Sequence, residues 1–247
     1  MTAPVPLDHL LFALIALASP LVDWLWLYPR FLRAAKAGVP GARRRLYLTG
    51  ILWSWGLMAF VLALWASRGR PWGGIELGAS TPLRLGIGLA LAAVYLVLMW
   101  SARRKLLARP DRLERFRRKL GDGDPLIPRT SGERRGFTLV AITAGVCEEV
   151  LYRGFVMWYA GVWAGPVLAV AISSLLFGFA HLYLGTSHVY RTAVVGVIFA
   201  LIALAAGSLW PVILIHAAMD LTAGDLGYRA LGGAPADDSG TGLPALS

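Results

Sequence analysis

Glu148 and Glu149 stand side by side in an otherwise apolar stretch, Gly145-Val146-Cys147-Glu148-Glu149-Val150-Leu151-Tyr152-Arg153-Gly154. His181 lies in a second apolar stretch and His216 in a third, with Asp220 four residues further on. The whole chain has only five Glu and four His. An ionisable side chain in such surroundings is costly and marks function by default. Residues four apart share a helical face, so Glu149 can pair with Arg153, which lowers the cost of both charges. Glu148 is turned about 100° from Glu149 and faces a different neighbour. By the same rule Phe177 shares a face with His181, and His216 with Asp220. Three helices thus deliver one unpaired carboxylate, two imidazoles and a further carboxylate.

Hydrolysis is the chemistry this set suits. A carboxylate in apolar surroundings is fitted to take a proton from water and return it to a leaving group. Two imidazoles can hold a Zn²⁺ ion that activates the water, or can donate hydrogen bonds to a tetrahedral oxyanion. An Asp one turn from a His can orient its ring or join it as a ligand. A serine triad has no support, because Ser173 and Ser174 lack an elbow motif, and nothing activates Cys147.

The elements that must position these groups are membrane helices. Of 247 residues 57% are hydrophobic and 15% charged, where soluble domains average about 25% charged. One Cys excludes a disulfide framework and a multi-cysteine zinc site. No Asp, Glu, Lys or Arg occurs between Leu46 and Ser67, Leu85 and Ala102, Gly154 and Tyr190, or Thr192 and Met219. Runs of that length cross the hydrocarbon core as helices. They predict an all-α, polytopic transmembrane helical bundle with helices near 7–28, 46–66, 83–101, 137–159, 164–184, 190–206 and 209–223, about seven spans in a range of six to eight.

Orientation follows from the basic residues. Six lie between Pro29 and Arg45 and twelve between Arg103 and Arg135, together 18 of the 24 Lys and Arg. Both loops belong in the cytoplasm, which puts the N-terminus outside and the C-terminus inside. Glu148 is then roughly 16 Å from the cytoplasmic start of its helix, and His181 and His216 about 5 and 10 Å from the ends of theirs, at about 1.5 Å per residue. All three can line one cavity open to the cytoplasm. Nothing basic precedes Arg30, so the first apolar stretch reads as a retained helix rather than a cleaved signal peptide.

The chain divides into three N-terminal helices (1–102), a basic loop with an amphipathic helix (103–136), a four-helix catalytic core (137–223) and a Gly-, Ala- and Asp-rich tail expected to be disordered (224–247). The basic helix, with Leu106, Leu113, Phe116 and Leu120 on one side, suits an anionic membrane leaflet; no nucleic acid is expected. Trp24, Trp26, Trp53, Trp55 and Trp72 read as interface anchors. Asp23, just before the first of these, is either a buried polar contact or interfacial, and His188 falls in a loop without a direct role.

Glu148-Glu149-x-x-x-Arg153, Phe177-x-x-x-His181 and His216-x-x-x-Asp220, with Tyr152-Arg153-Gly154 after the Glu pair and Ser208-Leu209-Trp210-Pro211 before His216, resemble the three-motif signature of the CPBP intramembrane protease family, the CAAX protease and bacteriocin-processing (Abi) proteins. The match spans about Phe137 to Ala223. The resemblance implies a multispan endopeptidase acting on a membrane-associated peptide or lipidated protein, in a bacterial cytoplasmic membrane. In it Glu148 activates the water, His181 assists it or binds metal, and His216 with Asp220 stabilises the oxyanion or completes a metal site. Glu149, Arg153 and Phe177 are supporting residues, and His181, His216 and Asp220 are the candidate Zn²⁺ ligands. CAAX-cleaving members often carry Asn at the position of Asp220. An ionised Asp cannot donate to an oxyanion, which favours a ligand or ring-orienting role here. Two alternatives remain open at this point: a non-proteolytic scaffold or bacteriocin self-immunity protein of the same fold, and an ion-coupled transporter.

Overall fold

The computed structural model describes residues 3–78, 80–120 and 125–231, and among them it is helical with no strand. Helix α1 covers Pro6–Lys36, α2 Ala42–Ser67, α3 Pro82–Leu107 and α4 Pro110–Leu120. The stretch Ser131–Phe179 is broken at Gly165, whose φ of 76° and ψ of 173° are not helical. We therefore treat it as α5 (131–164) and α6 (166–179). Helices α7 (Thr186–Ala206) and α8 (Trp210–Ala230) complete the bundle.

The chain reverses at Gly165. A Cβ on Gly161 would sit 3.5 Å from that of Ala169, and Ser173 Oγ donates to the Tyr152 carbonyl at 2.7 Å. Only an antiparallel hairpin brings such distant residues together. The positive φ falls on a glycine, which tolerates it, and Pro166 follows as the first residue of the returning helix.

Five stretches are long and apolar enough to cross a membrane: α1, α2, α3, the joined α5 and α6, and α7. The fourth of these stretches reverses at Gly165 and so holds two of the helices that the sequence predicts. The last predicted span, α8, carries His216, Asp220, Asp225 and Arg229 and falls outside the five. Large apolar side chains cover the outside of the bundle, including Leu52 at 72%, Leu83 at 74% and Val167 at 80% exposure, far more than a water-soluble surface carries. The protein is an integral membrane protein of helical class.

Helix α8 runs past Ala223, where the sequence predicts a disordered tail to begin. Its glycines are there for contact. A Cβ on Gly224 would fall 2.3 Å from the Phe137 ring, and one on Gly227 2.8 Å from Ile127. Asp225 fastens the same turn, pairing with Arg103 at 2.5 Å, Arg134 at 3.3 Å and Arg229 at 3.0 Å. The remaining tail, from 232 onward, lies outside the described residues.

Helix α4 packs beside α3 and α8 with Leu113 and Phe116 half-buried. Its Arg112, Arg115, Arg117 and Arg118 are exposed, two of them paired along the helix, Arg115 with Asp111 at 2.7 Å and Arg118 with Glu114 at 3.3 Å.

At the end of the bundle opposite these basic residues, Arg70 makes a two-pronged ion pair with Asp8, at 2.8 and 2.6 Å. Arg70 also lies over the rings of Trp65 at 5.2 Å and Trp158 at 4.7 Å, and both charged side chains are buried. The pair pins the start of α1 to α2 and α5. Arg70→Met leaves the Asp8 carboxylate buried and alone and is expected to cost about 3–5 kcal/mol, read as a lowered unfolding midpoint in detergent. The Asp8→Leu, Arg70→Met double variant should recover most of it.

Candidate active site

The Glu pair lies on a part of α5 that is wound more loosely than an α-helix. Residues Ala144–Val156 are π-helical, a winding that occurs mostly at functional sites and differs from the α-helical period the sequence predicts. The segment is nearly all buried and is gripped on one side by α8. A Cβ on Gly145 would meet the Ala217 backbone nitrogen at 2.7 Å, so glycine is what lets the Glu-bearing turn lie directly against the His216-bearing one.

Glu149 is fully buried, and its Oε1 takes two bonds. Arg153 Nη1 donates to it at 3.1 Å, the spacing that the sequence predicts. The second comes from His216 Nδ1 at 2.7 Å, between residues 67 apart in the chain. A carboxylate only accepts, so Nδ1 carries the hydrogen and the ring is fixed with Nε2 turned the other way. Nε2 then faces Glu148 Oε2 at 3.9 Å and Asp220 Oδ2 at 3.7 Å. These two gaps are too long for hydrogen bonds and leave room for a group to enter between them. Glu149, and not Asp220, is the residue that orients the ring.

Arg153 is held from above and below by aromatic rings. Its guanidinium carbon is 3.9 Å from the centre of Phe177 and 5.5 Å from that of Phe199. A Cβ on Gly196 of α7 would come within 3.3 Å of its Nη2. Cation–π contact and the Glu149 bond together keep this charge in a site without water. Phe177 further serves as the partition between the two imidazoles, 5.0 Å from His181 and 6.0 Å from His216 by ring centres, both edge-on.

Helix α6 ends at Phe179, so His181 stands in the turn after it rather than inside a helix running to 184. Its Nδ1 donates to the Phe177 carbonyl at 2.9 Å, satisfying one of the carbonyls that a helix end leaves without a partner. That bond fixes the tautomer, leaving Nε2 with a free lone pair when the ring is neutral. His181 lies within electrostatic range of His216 and Asp220.

Glu148 Oε2 is a buried atom without a hydrogen-bond partner, while the side chain as a whole is 28% exposed and that of Asp220 38%. These carboxylates border the accessible part of the site, whereas Glu149 and Arg153 form its floor. Among the described residues no three His, Cys, Asp or Glu side chains converge to hold a metal ion. Each imidazole donates Nδ1–H to an oxygen, to the Phe177 carbonyl from His181 and to Glu149 from His216, and keeps Nε2 for whatever enters the site. His188 lies in the first turn of α7, with Nδ1 buried and unpartnered. Ser173 is bonded to the Tyr152 carbonyl and Cys147 is buried.

Neither a curated protein nor a solved structure matches the chain. Residues 133–222, which hold Glu148, Glu149, Arg153, Phe177, His181, His216 and Asp220, match a family model described as type II CAAX prenyl endopeptidase Rce1-like. Over that stretch the chain is similar to the CAAX prenyl endopeptidases, the resemblance that its three motifs imply.

Proposed function

We propose that the protein is an intramembrane endopeptidase that hydrolyses a peptide bond of a membrane-associated peptide or lipidated protein, with Glu148 as the general base. The observation that carries this reading is the meeting of one unpaired carboxylate with two imidazoles of fixed tautomer, supplied by α5, the turn after α6, and α8. Water enters between Glu148 and His181. His181 Nε2 accepts a hydrogen bond from it and aims it, and Glu148 takes its proton as the oxygen adds to the substrate carbonyl carbon. His216, protonated on both nitrogens, donates from Nδ1 to Glu149 and from Nε2 to the oxyanion. The carbon–nitrogen bond then breaks, and the proton on Glu148 passes to the leaving amine. Asp220 stays an acceptor and offsets the positive charge of His216.

No step of this scheme passes through a metal. The basic loops are read as cytoplasmic, so the accessible side of the site opens toward the cytoplasmic half of the membrane. The exposed arginines of α4 are read as resting on its anionic leaflet. The family resemblance supports a prenylated protein as substrate class.

The test is quantitative proteomics of membranes from cells that carry either the wild-type protein or Glu148→Gln. A precursor should accumulate with the variant, and its shortened form should appear only with the wild type. An unchanged set of membrane proteins would favour the scaffold reading.

A further inference from the structure

Asp23 of α1 is an intramembrane carboxylate that the scheme above does not use. Its neighbours Val22, Trp24, Leu25 and Trp26 are exposed on the outside of the bundle, whereas Asp23 is half-buried and faces inward. Residues Asp23–Leu27 are π-helical, and the Tyr28 N–H closes onto the Asp23 carbonyl. The segment packs against Leu182–Leu184. Tyr28 in turn packs on Tyr183 with ring centres 5.0 Å apart, in the turn that follows His181, and Tyr183 stacks on His181 at 6.2 Å. Nearer the N-terminus of α1, Tyr152 O–H donates to the Ile15 carbonyl at 3.4 Å. Asp23 thus sits on the stretch of α1 between the Tyr152 and Tyr183 contacts, within electrostatic range of Glu148 and Tyr152.

Among the described residues Asp23 has no hydrogen bond or ion pair. The guanidinium of the site, Arg153, is held by Glu149. Within electrostatic range of Asp23 are a second carboxylate, Glu148, whose Oε2 is buried without a partner, and the aromatic Tyr152. A carboxylate beside aromatic rings, with no cation of its own, is a seat for a cation. A neutral occupant leaves the carboxylate unpaired, and an acidic one is repelled by two carboxylates.

We propose that Asp23 is a specificity-determining residue, seating a basic side chain, Lys or Arg, of the substrate peptide next to the bond presented to Glu148. This deepens the endopeptidase reading and rests on it. The experiment uses the full-length protein in proteoliposomes and N-acylated Ala/Gly decapeptides identical except for a single Lys, Gln or Glu, moved one position at a time. At one position the Lys peptide should exceed the Gln peptide in kcat/KM by about tenfold, a ratio that one charge-assisted contact supplies. Asp23→Asn should bring that ratio to about one, Asp23→Glu should retain it, and Asp23→Arg should invert it in favour of Glu. A Lys preference absent at every position, or kept by Asp23→Asn, overturns the proposal.

Equilibrium binding of the same peptides to the Glu148→Gln protein in nanodiscs separates the two claims. A Lys-over-Gln binding preference that vanishes with Asp23→Asn supports Asp23 even where the wild type cleaves nothing, a result that sinks the endopeptidase reading alone. Cleavage by the wild type with equal binding of all three peptides sinks the Asp23 assignment alone.

Discussion

Glu149→Ala is expected to destabilise the protein by about 3–5 kcal/mol and to abolish cleavage together, because two partners depend on one oxygen. Glu149 Oε1 receives both Arg153 and His216. Its removal leaves the Arg153 guanidinium fully buried beneath Phe177 and Phe199 with no counter-charge, the situation in which breaking a buried pair costs most. It also frees the His216 ring, so that Nε2 no longer points at the gap between Glu148 and Asp220. The two effects separate in the Glu149→Met, Arg153→Met double variant. Replacing a buried ion pair by apolar side chains of similar volume is often neutral, so the unfolding midpoint in detergent should return close to that of the wild type. Activity should stay absent, because the anchor of His216 is still missing. An active double variant would show that Glu149 has no part in holding the ring.

Glu148→Gln is expected to show the reverse pattern. Cleavage should fall by about 10²–10⁴-fold, the range for losing a general base, with the protein still folded in the membrane. Stability should hold, because Glu148 Oε2 makes no hydrogen bond and is within electrostatic range of charges of both signs, His216 and Arg153 against Glu149, Asp220 and Asp23. Kinetics in proteoliposomes alongside thermal unfolding of the same preparation measure both halves. Full activity would remove Glu148 from the role of base, and a large drop in midpoint would make its function structural.

These two residues are neighbours in sequence, and the sequence tells much of their story but not its decisive part. The Glu149–Arg153 pair is legible because it is local and four residues long. The bond from His216 to Glu149 is not, because it joins α8 to α5 across 67 residues and depends on how closely those helices approach. Gly145 sets that approach, yet in the sequence it is one small residue among 28 glycines. The helical class and the apolar runs are legible from the missing charges. The π-winding at 144–156 is not, since apolar residues at α-like spacing give no sign of it. The helical end of α8 was masked by its composition: Gly224 and Gly227 look like tail, but they are places where Phe137 and Ile127 need room. Asp8 and Arg70 bear opposite charges 62 residues apart, and only the fold brings them together.

The length of α6 bears on how water reaches the reaction. At about 1.5 Å per residue, a helix of 166–179 is roughly 21 Å long, where a bilayer core is about 30 Å thick. Returning from the Gly165 turn, it gives out before the far surface, and the chain continues as the turn that carries His181 and a single 3-10 turn at Leu182–Leu184. Irregular backbone at that depth is tolerated only against protein or a water-filled recess. The missing turns of α6 therefore indent the membrane from one side. For the endopeptidase proposed above, that indentation would give water a short route in and let a lipid-held substrate meet it without leaving the bilayer.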